Sequence, residues 1–231
     1  MLTVPQNLPS RLRLVRQRIE AAANAAGRNP QEITLIGVSK THPPATVREA
    51  LAAGLSDFGE NYVQEALDKI VAIGPGAATW HFIGALQGNK TRPVAAAFDW
   101  VHTVDRAKIA RRLSEQRPWH APSLKVCLQV NLGDEQTKSG VAPGGLRTLA
   151  AEVAALPRIE LRGLMCIPPE ESDPGRQRHW FHRLRELRED LRDAGHALDV
   201  LSMGMSGDFE VAIAEGATHV RVGTALFGPR S

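Results

Sequence analysis

The chain has 231 residues, of which 43% are hydrophobic, so it can bury a large core as one domain or two. Its formal net charge is only +3, an excess too small for the clustered basic face of a nucleic-acid-binding protein. No segment approaches the roughly 18 uninterrupted apolar residues of a membrane span, and the N-terminal sequence MLTVPQNLPSRL lacks the apolar stretch of a signal peptide. Two cysteines inside apolar runs, Cys127 and Cys166, favour a reduced, cytoplasmic protein.

The chain begins with an amphipathic helix and then alternates between short apolar runs and helical patterns. Apolar residues from Leu8 to Ala26 recur at spacings of three and four, and Gly27 ends the helix. The clearest later helix is predicted from Arg176 to Ala194. Eight candidate strands lie at residues 33–40, 55–61, 79–84, 100–105, 124–131, 159–166, 198–204 and 219–223.

This alternation predicts parallel strands joined by right-handed helical crossovers. Eight repeats in a chain of this length fit a closed (β/α)8 TIM barrel better than an open, doubly wound sheet. No linker or low-complexity segment interrupts the series, and residues 171–177 are interpreted as a surface loop. We therefore predict a single domain spanning residues 1–231, with an extra helix at its N-terminus.

Functional residues of such a barrel lie at the C-terminal ends of its strands. Strand alternation puts Lys40 on the same face as Val38, and Arg221 on the same face as Gly223. If both faces point inward, Lys40 and Arg221 meet at one barrel mouth. Lys40 has two interpretations: a strand-end lysine reaching solvent, or an amine that forms a Schiff base, as only six of the 28 basic residues could.

The C-terminal part of the sequence suggests a phosphate site. Ser206 precedes a helical pattern, and Gly223 with Thr224 opens a last helical turn after the final strand. Phosphates commonly bind in barrels after strands 7 and 8, at the start of such a short helix. The alternative is that Ser206 is a helix cap and the glycines only form turns.

Arg221 also has two interpretations. It could form a structural ion pair at the barrel rim, or it could contact the ring nitrogen of a pyridine cofactor, where such proteins place Asp or Arg. An arginine donates hydrogen bonds and does not accept them. It would therefore keep the ring nitrogen unprotonated and make the ring a weak electron sink. His179 and His182 have a metal-like spacing but no further ligand, so no metal site is predicted.

Motifs along nearly the whole chain support a more specific resemblance. They are GVSKTHP around Lys40, FGENYVQEALDK at 58–69, WHFIGALQGNK at 80–90, HTVDR at 102–106, NLGDEQTKSG at 131–140, GLMCIPP at 163–169, LSMGMSGDFEVAIAEG at 201–216 and HVRVGTALFG at 219–228. With these motifs the chain resembles the YggS/PROSC family of pyridoxal 5'-phosphate (PLP) homeostasis proteins.

The resemblance implies a barrel of the alanine racemase N-terminal type, PLP held as a Schiff base on Lys40, and a role in buffering or delivering that cofactor. It also implies a mainly monomeric cytoplasmic protein with effects on vitamin B6 and amino-acid balance, and PLP-dependent apoenzymes as transient partners. By position, the cofactor would contact Lys40, Asn61, Met203, Ser206, Gly207, Arg221, Gly223 and Thr224. Gly204 and Met205 are further candidates.

The alternative function is a PLP-dependent racemase or decarboxylase on the same barrel. Racemisation needs an acid/base group on each face of the imine, and Lys40 could supply one. The racemases supply the other with a partner subunit's tyrosine and add a C-terminal β-domain. Here the only tyrosine is Tyr62, and eight residues follow Gly223. We therefore expect no efficient catalysis.

Overall fold

The computed structural model describes residues 7–133, 139–169, 171 and 173–228. Within them, eight parallel strands form a closed barrel in sequence order, and the first strand pairs with both the second and the last. The strands are β1 (Thr34–Val38), β2 (Asp57–Glu60), β3 (Thr79–Phe82), β4 (Trp100–Val104), β5 (Leu124–Gln129), β6 (Ile159–Met165), β7 (Val200–Ser202) and β8 (His219–Val222). The predicted (β/α)8 barrel is confirmed.

Helices surround this barrel and alternate with its strands. They are α1 (Leu8–Ala25), α2 (Pro44–Ala52), α3 (Val63–Ile73), α4 (Thr91–Ala97), α5 (Ala107–Gln116), α6 (Leu146–Ala154), α7 (Pro174–Asp193), α8 (Phe209–Ala214) and α9 (Thr224–Phe227). Most of the buried hydrophobic core lies between the helices and the sheet, as expected for amphipathic helices on a parallel barrel. Among the described residues, no helix combines the length and hydrophobicity that crossing a membrane requires.

The predicted N-terminal helix forms and packs on the barrel's outer layer. Asn7 begins it, because its side-chain oxygen accepts a hydrogen bond from the Ser10 amide at 3.0 Å. Its apolar face contacts α8 and α9, the elements that flank the last strand. The helix therefore supports the part of the barrel where the candidate phosphate site lies.

The strands end one or two residues earlier than the sequence predicted. β1 ends at Val38 and β8 at Val222, so Lys40 and Gly223 lie in the turns that follow and not on strand faces. β7 ends at Ser202 and the chain turns at Gly204, whose φ is +91°. A side chain at Gly204 would have its Cβ 2.6 Å from the Cβ of Ala212, so this turn requires glycine.

Candidate functional site

A cavity of about 280 Å³ opens at the C-terminal ends of the strands. Its volume is near the lower end of small-molecule sites, about 300 Å³. It is lined by Val38, Lys40, Asn61, Ile83, Ile167, Met205, Ser206, Gly207, Arg221, Gly223 and Thr224. Seven of the eight residues predicted to contact a cofactor thus line one cavity. Lys40 and Arg221 meet there, as the sequence suggested.

Met203 is the predicted residue that does not line this cavity. Its side chain is fully buried and packs in the hydrophobic core. The reason is the turn at Gly204, which directs the chain away from the strand line before Met205. Met205, a further candidate from the sequence, is 39% exposed and lines the cavity.

The turn that carries Lys40 is held from beneath by a buried ion pair. Lys69 of α3 is 2% exposed, and its Nζ donates hydrogen bonds to the Ser39 carbonyl at 2.7 Å and to Glu60 Oε1 at 2.7 Å. Ser39 Oγ donates to the same carboxylate oxygen at 2.6 Å. Burial raises the pKa of Glu60, although the hydrogen bonds from Lys69 and Ser39 oppose the shift.

A second contact fixes the other side of this turn. Glu65 Oε1 accepts a hydrogen bond from the Thr41 amide at 2.5 Å, and the same oxygen lies 2.7 Å from Lys69 Nζ. Thr41 has a φ of +68°, a conformation that non-glycine residues rarely adopt without such support. Lys40 therefore lies between two backbone positions that are held in place. Lys69, which is paired with Glu60, binds the Ser39 carbonyl, and Glu65 binds the Thr41 amide.

The loops after β7 and β8 approach each other at the candidate phosphate site. Ser206 Oγ accepts a hydrogen bond from the Ala225 amide at 3.4 Å, which joins the two loops. Asp208 Oδ1 accepts from the Met205 amide at 2.5 Å and closes the first loop. Thr224 is exposed and also lines the cavity. The Ser206 and Thr224 hydroxyls can therefore donate hydrogen bonds to an anionic group placed between the loops.

Arg221 lies at the floor of the cavity and is 4% exposed. Its Nη1 donates to Ser202 Oγ at 2.8 Å and its Nη2 to the Cys166 carbonyl at 2.9 Å. Burial lowers the pKa of Arg221, but an arginine remains charged in proteins. Within the described part of the chain no carboxylate forms a salt bridge with it, so the rim ion pair considered from the sequence is not what holds it here.

Asn61 supplies an unused hydrogen-bond acceptor. Its Oδ1 is buried and has no hydrogen-bond partner among the described residues, and the residue lines the cavity. Buried polar atoms without partners are uncommon and call for an explanation such as a missing ligand. The donor set fits PLP: an amine for its aldehyde, hydroxyls for its phosphate and a guanidinium for its ring nitrogen.

The contacts between several polar residues inside the barrel were not predicted from the sequence. His81 and His102 lie in β3 and β4, are fully buried and hydrogen bond to each other at 3.0 Å. His102 Nδ1 also lies 2.8 Å from Ser202 Oγ, the hydroxyl that binds Arg221. Polar side chains within otherwise apolar strands were the available signal, but only the barrel's closure shows that β4 and β7 face each other.

The two histidines with metal-like spacing do not assemble a ligand set. His182 Nδ1 instead lies 3.1 Å from Glu215 Oε2. In the described ranges, no group of three or more His, Cys, Asp or Glu side chains is arranged to hold a metal ion.

Comparison with known proteins adds to this geometry. The sequence pattern of the alanine racemase N-terminal domain matches residues 11–231. The pyridoxal phosphate homeostasis protein of Pseudomonas aeruginosa is 56% identical over 230 residues, which cover 100% of this chain and 97% of that protein. This chain belongs to the pyridoxal phosphate homeostasis protein family. The resemblance found in the sequence is thereby confirmed.

Solved structures agree with this family membership. PipY of Synechococcus elongatus PCC7942 without PLP is 39% identical, with a TM-score of 0.85 over 96% of this chain and 100% of PipY. PipY with PLP bound is 40% identical, with a TM-score of 0.81 over 92% of this chain and 100% of PipY. The barrel of this chain is thus shared with a protein whose structure is known both with and without that cofactor.

Proposed function

We propose that this protein binds PLP through an imine bond to Lys40 and that it stores and releases the cofactor as part of PLP homeostasis. The observation that carries the proposal is one cavity in which Lys40, Arg221 and the hydroxyls of Ser206 and Thr224 converge. The PLP-bound structure of PipY and the name of the Pseudomonas relative support it.

Each lining residue has a distinct role in this proposal. The Lys40 amine adds to an aldehyde carbon, a C=N bond forms, and the aldehyde oxygen leaves as water. Ser206 and Thr224, with the backbone at Gly207 and Gly223, would bind the phosphate. The Arg221 guanidinium would donate to the ring nitrogen. The cofactor, when bound, supplies the aldehyde and an electron-accepting ring.

The same residues argue against efficient catalysis. A guanidinium at the ring nitrogen keeps that nitrogen unprotonated, so the ring accepts electrons poorly. Among the described lining residues Lys40 offers the one amine that could move protons on a bound amino acid. Tyr62 is 58% exposed and does not line the cavity. We propose a binding protein in preference to the racemase alternative.

The spectrum of the purified protein tests the proposal. We expect a visible imine band after incubation with PLP, and borohydride reduction should fix the cofactor to Lys40, as shown by peptide mapping. Lys40→Arg keeps the charge but cannot form the imine, so the band should disappear. Lys90→Arg, at an exposed position outside the cavity, is the matched control and should keep it. A reduced adduct on Lys69 or Lys125 would contradict the assignment.

A further inference from the structure

A continuous series of buried hydrogen bonds crosses the barrel interior and ends at Arg221. Its contacts are Arg221 Nη1 to Ser202 Oγ at 2.8 Å, Ser202 Oγ to His102 Nδ1 at 2.8 Å, His102 Nε2 to His81 Nδ1 at 3.0 Å, and His81 Nε2 to Asp57 Oδ1 at 3.0 Å. The three middle side chains are fully buried. We call this series the Asp57–Arg221 chain.

The Asp57–Arg221 chain links two separate cavities. Asp57 is the first residue of β2 and lines a pocket of about 400 Å³ together with Thr34 at the start of β1. Arg221 lines the cavity at the opposite, C-terminal ends of the strands. The Asp57–Arg221 chain therefore extends from the N-terminal side of the barrel to the floor of the candidate cofactor site.

The chemistry of its two ends fixes the direction of every hydrogen bond. Arginine only donates and an ionised carboxylate only accepts. Asp57 accepts, so His81 donates to it from Nε2, and a neutral His81 then accepts at Nδ1 from His102 Nε2. A neutral His102 accepts at Nδ1, so Ser202 donates its proton there and accepts from Arg221. If both imidazoles carried their proton on Nδ1, His102 would donate to Ser202, and the unprotonated Nε2 of His81 would face the Asp57 carboxylate.

The protonation states agree with this direction. Burial opposes ionisation of Asp57, but hydrogen bonds from His81 and Ser56 outweigh it and lower its pKa, so it is a carboxylate at neutral pH. Burial lowers the pKa of His81 and lowers that of His102 well below the usual value. Both imidazoles are therefore neutral, each with its proton on Nε2. The neighbouring His219 has a pKa lowered to about 3 by burial and is also neutral.

We propose that Asp57, His81 and His102 are positioning residues that hold the Arg221 guanidinium. A buried charge requires compensation. Among the described residues Asp208 acts on Arg221 from a distance, and no carboxylate contacts the guanidinium directly. The aligned hydrogen bonds polarise one another, so the carboxylate of Asp57 stabilises the distant cation and fixes its orientation. The inference rests on the proposed function, in which Arg221 meets the ring nitrogen of PLP.

The first test uses the cofactor-free protein. Histidine nitrogen NMR should show His81 and His102 as neutral Nε2–H tautomers throughout the range of about pH 5 to 8 in which histidine usually titrates. An Nδ1–H tautomer at His102, or protonation of either ring in that range, would contradict the hydrogen-bond direction proposed for the Asp57–Arg221 chain. This result does not depend on whether Lys40 binds PLP. The test therefore distinguishes an error in the Asp57–Arg221 chain from an error in the proposed function.

The second test removes the carboxylate charge far from the cavity. Asp57→Asn should give His81 mixed tautomers and change the Arg221 side-chain NMR signals. It should also shift the visible band of the PLP-loaded protein. PLP binding should weaken about three- to tenfold, the effect on affinity of losing one ordinary hydrogen bond. Asp57→Glu keeps the charge and should restore the band. Asp99→Asn removes a carboxylate that accepts from the Trp80 amide outside the chain, and is the matched control.

Two outcomes of the second test would overturn the positioning role. One is an Asp57→Asn protein whose Arg221 signals and visible band match those of the natural protein. The other is an equal change in Asp99→Asn, which would show a general effect of charge at that end of the barrel. If Asp57→Asn does not fold, the tautomers of the natural protein and the Asp57→Glu spectrum decide the question.

Discussion

At the scale of single residues, side chains outside the cavity fix the geometry of Lys40. Lys69 is bound on one side by Glu60 and on the other by Glu65, and it also bonds the backbone of Ser39 next to Lys40. These groups lie beneath the cavity and would not touch a bound molecule. The two lysines thus have different roles. Lys69 is buried and makes three hydrogen bonds, whereas Lys40 is half-buried at the cavity wall.

Replacing Lys69 tests this support. Lys69→Met leaves the Glu60 carboxylate buried without its cation, so we expect the free energy of unfolding to fall by about 3 to 5 kcal/mol at neutral pH. Urea unfolding measures the change. The double variant Glu60→Gln with Lys69→Met removes both charges and should recover part of the loss. If it is as unstable as the single variant, the effect comes from packing and not from the unpaired charge.

The same variant should acquire a distinctive pH dependence. Burial already raises the pKa of Glu60, and losing Lys69 raises it further. The folded state then binds a proton at this carboxyl more tightly than the unfolded state does. Its stability relative to the natural protein should therefore be best below the ordinary glutamate pKa and decline as pH rises through the raised value. Urea unfolding over a pH series measures this, and a flat difference would contradict it.

The hydroxyls of the two loops make a separate prediction about the phosphate. Under the proposal Ser206→Ala and Thr224→Val each remove one donor to a charged oxygen, worth about 1.5 to 3 kcal/mol. PLP affinity should therefore fall about 10- to 100-fold. Pyridoxal lacks the phosphate and should lose much less. Thr148→Val, on an exposed face of α6, is the control. Equal losses for PLP and pyridoxal would mean that these residues act through folding.

At the scale of elements, the loop between β7 and α8 depends on one glycine. Gly204→Ala must adopt a φ near +91° and places its Cβ 2.6 Å from Ala212 Cβ and 2.9 Å from Phe209 Cα. We expect a loss of about 1 to 3 kcal/mol in the free energy of unfolding. Gly207→Ala, in the same loop, meets nothing within 4 Å and should leave stability unchanged. Equal stability of the two variants in urea unfolding would disprove the constraint.

This loop also shows how far the sequence can predict the site. The alternation of strands and helices correctly predicts the barrel, and with it the end at which Lys40 and Arg221 meet. It cannot predict where a strand stops, because the turn depends on contacts with α8. The resemblance placed Met203 among the cofactor contacts and Met205 among the further candidates, whereas β7 ends at Ser202 and Met205 lines the cavity.

At the scale of the whole molecule, closure of the barrel creates contacts that no local pattern contains. Ser202 and His102 are 100 residues apart, and their hydrogen bond exists because β4 and β7 face each other across the interior. The sequence offers only polar residues in otherwise buried strands, each of which has several possible partners. The direction of the Asp57–Arg221 chain then follows from its charged ends. Monomeric state and cytoplasmic location stay predictions from the sequence.

The whole molecule should behave as a carrier of PLP and not as a PLP enzyme. Under the proposal Arg221 meets the ring nitrogen, and the described lining residues offer no second proton-transfer group. Amino acids should therefore perturb the visible band while racemase, decarboxylase and transaminase assays stay near background. The PLP-loaded protein should reactivate a PLP-dependent apoenzyme in the presence of a scavenger for free PLP, whereas Lys40→Arg should not. Turnover of about 1 per second or faster, the low end of ordinary enzymes, would overturn the carrier role. Reactivation that the scavenger abolishes would show that PLP passes through solution and that the protein buffers the cofactor without delivering it directly.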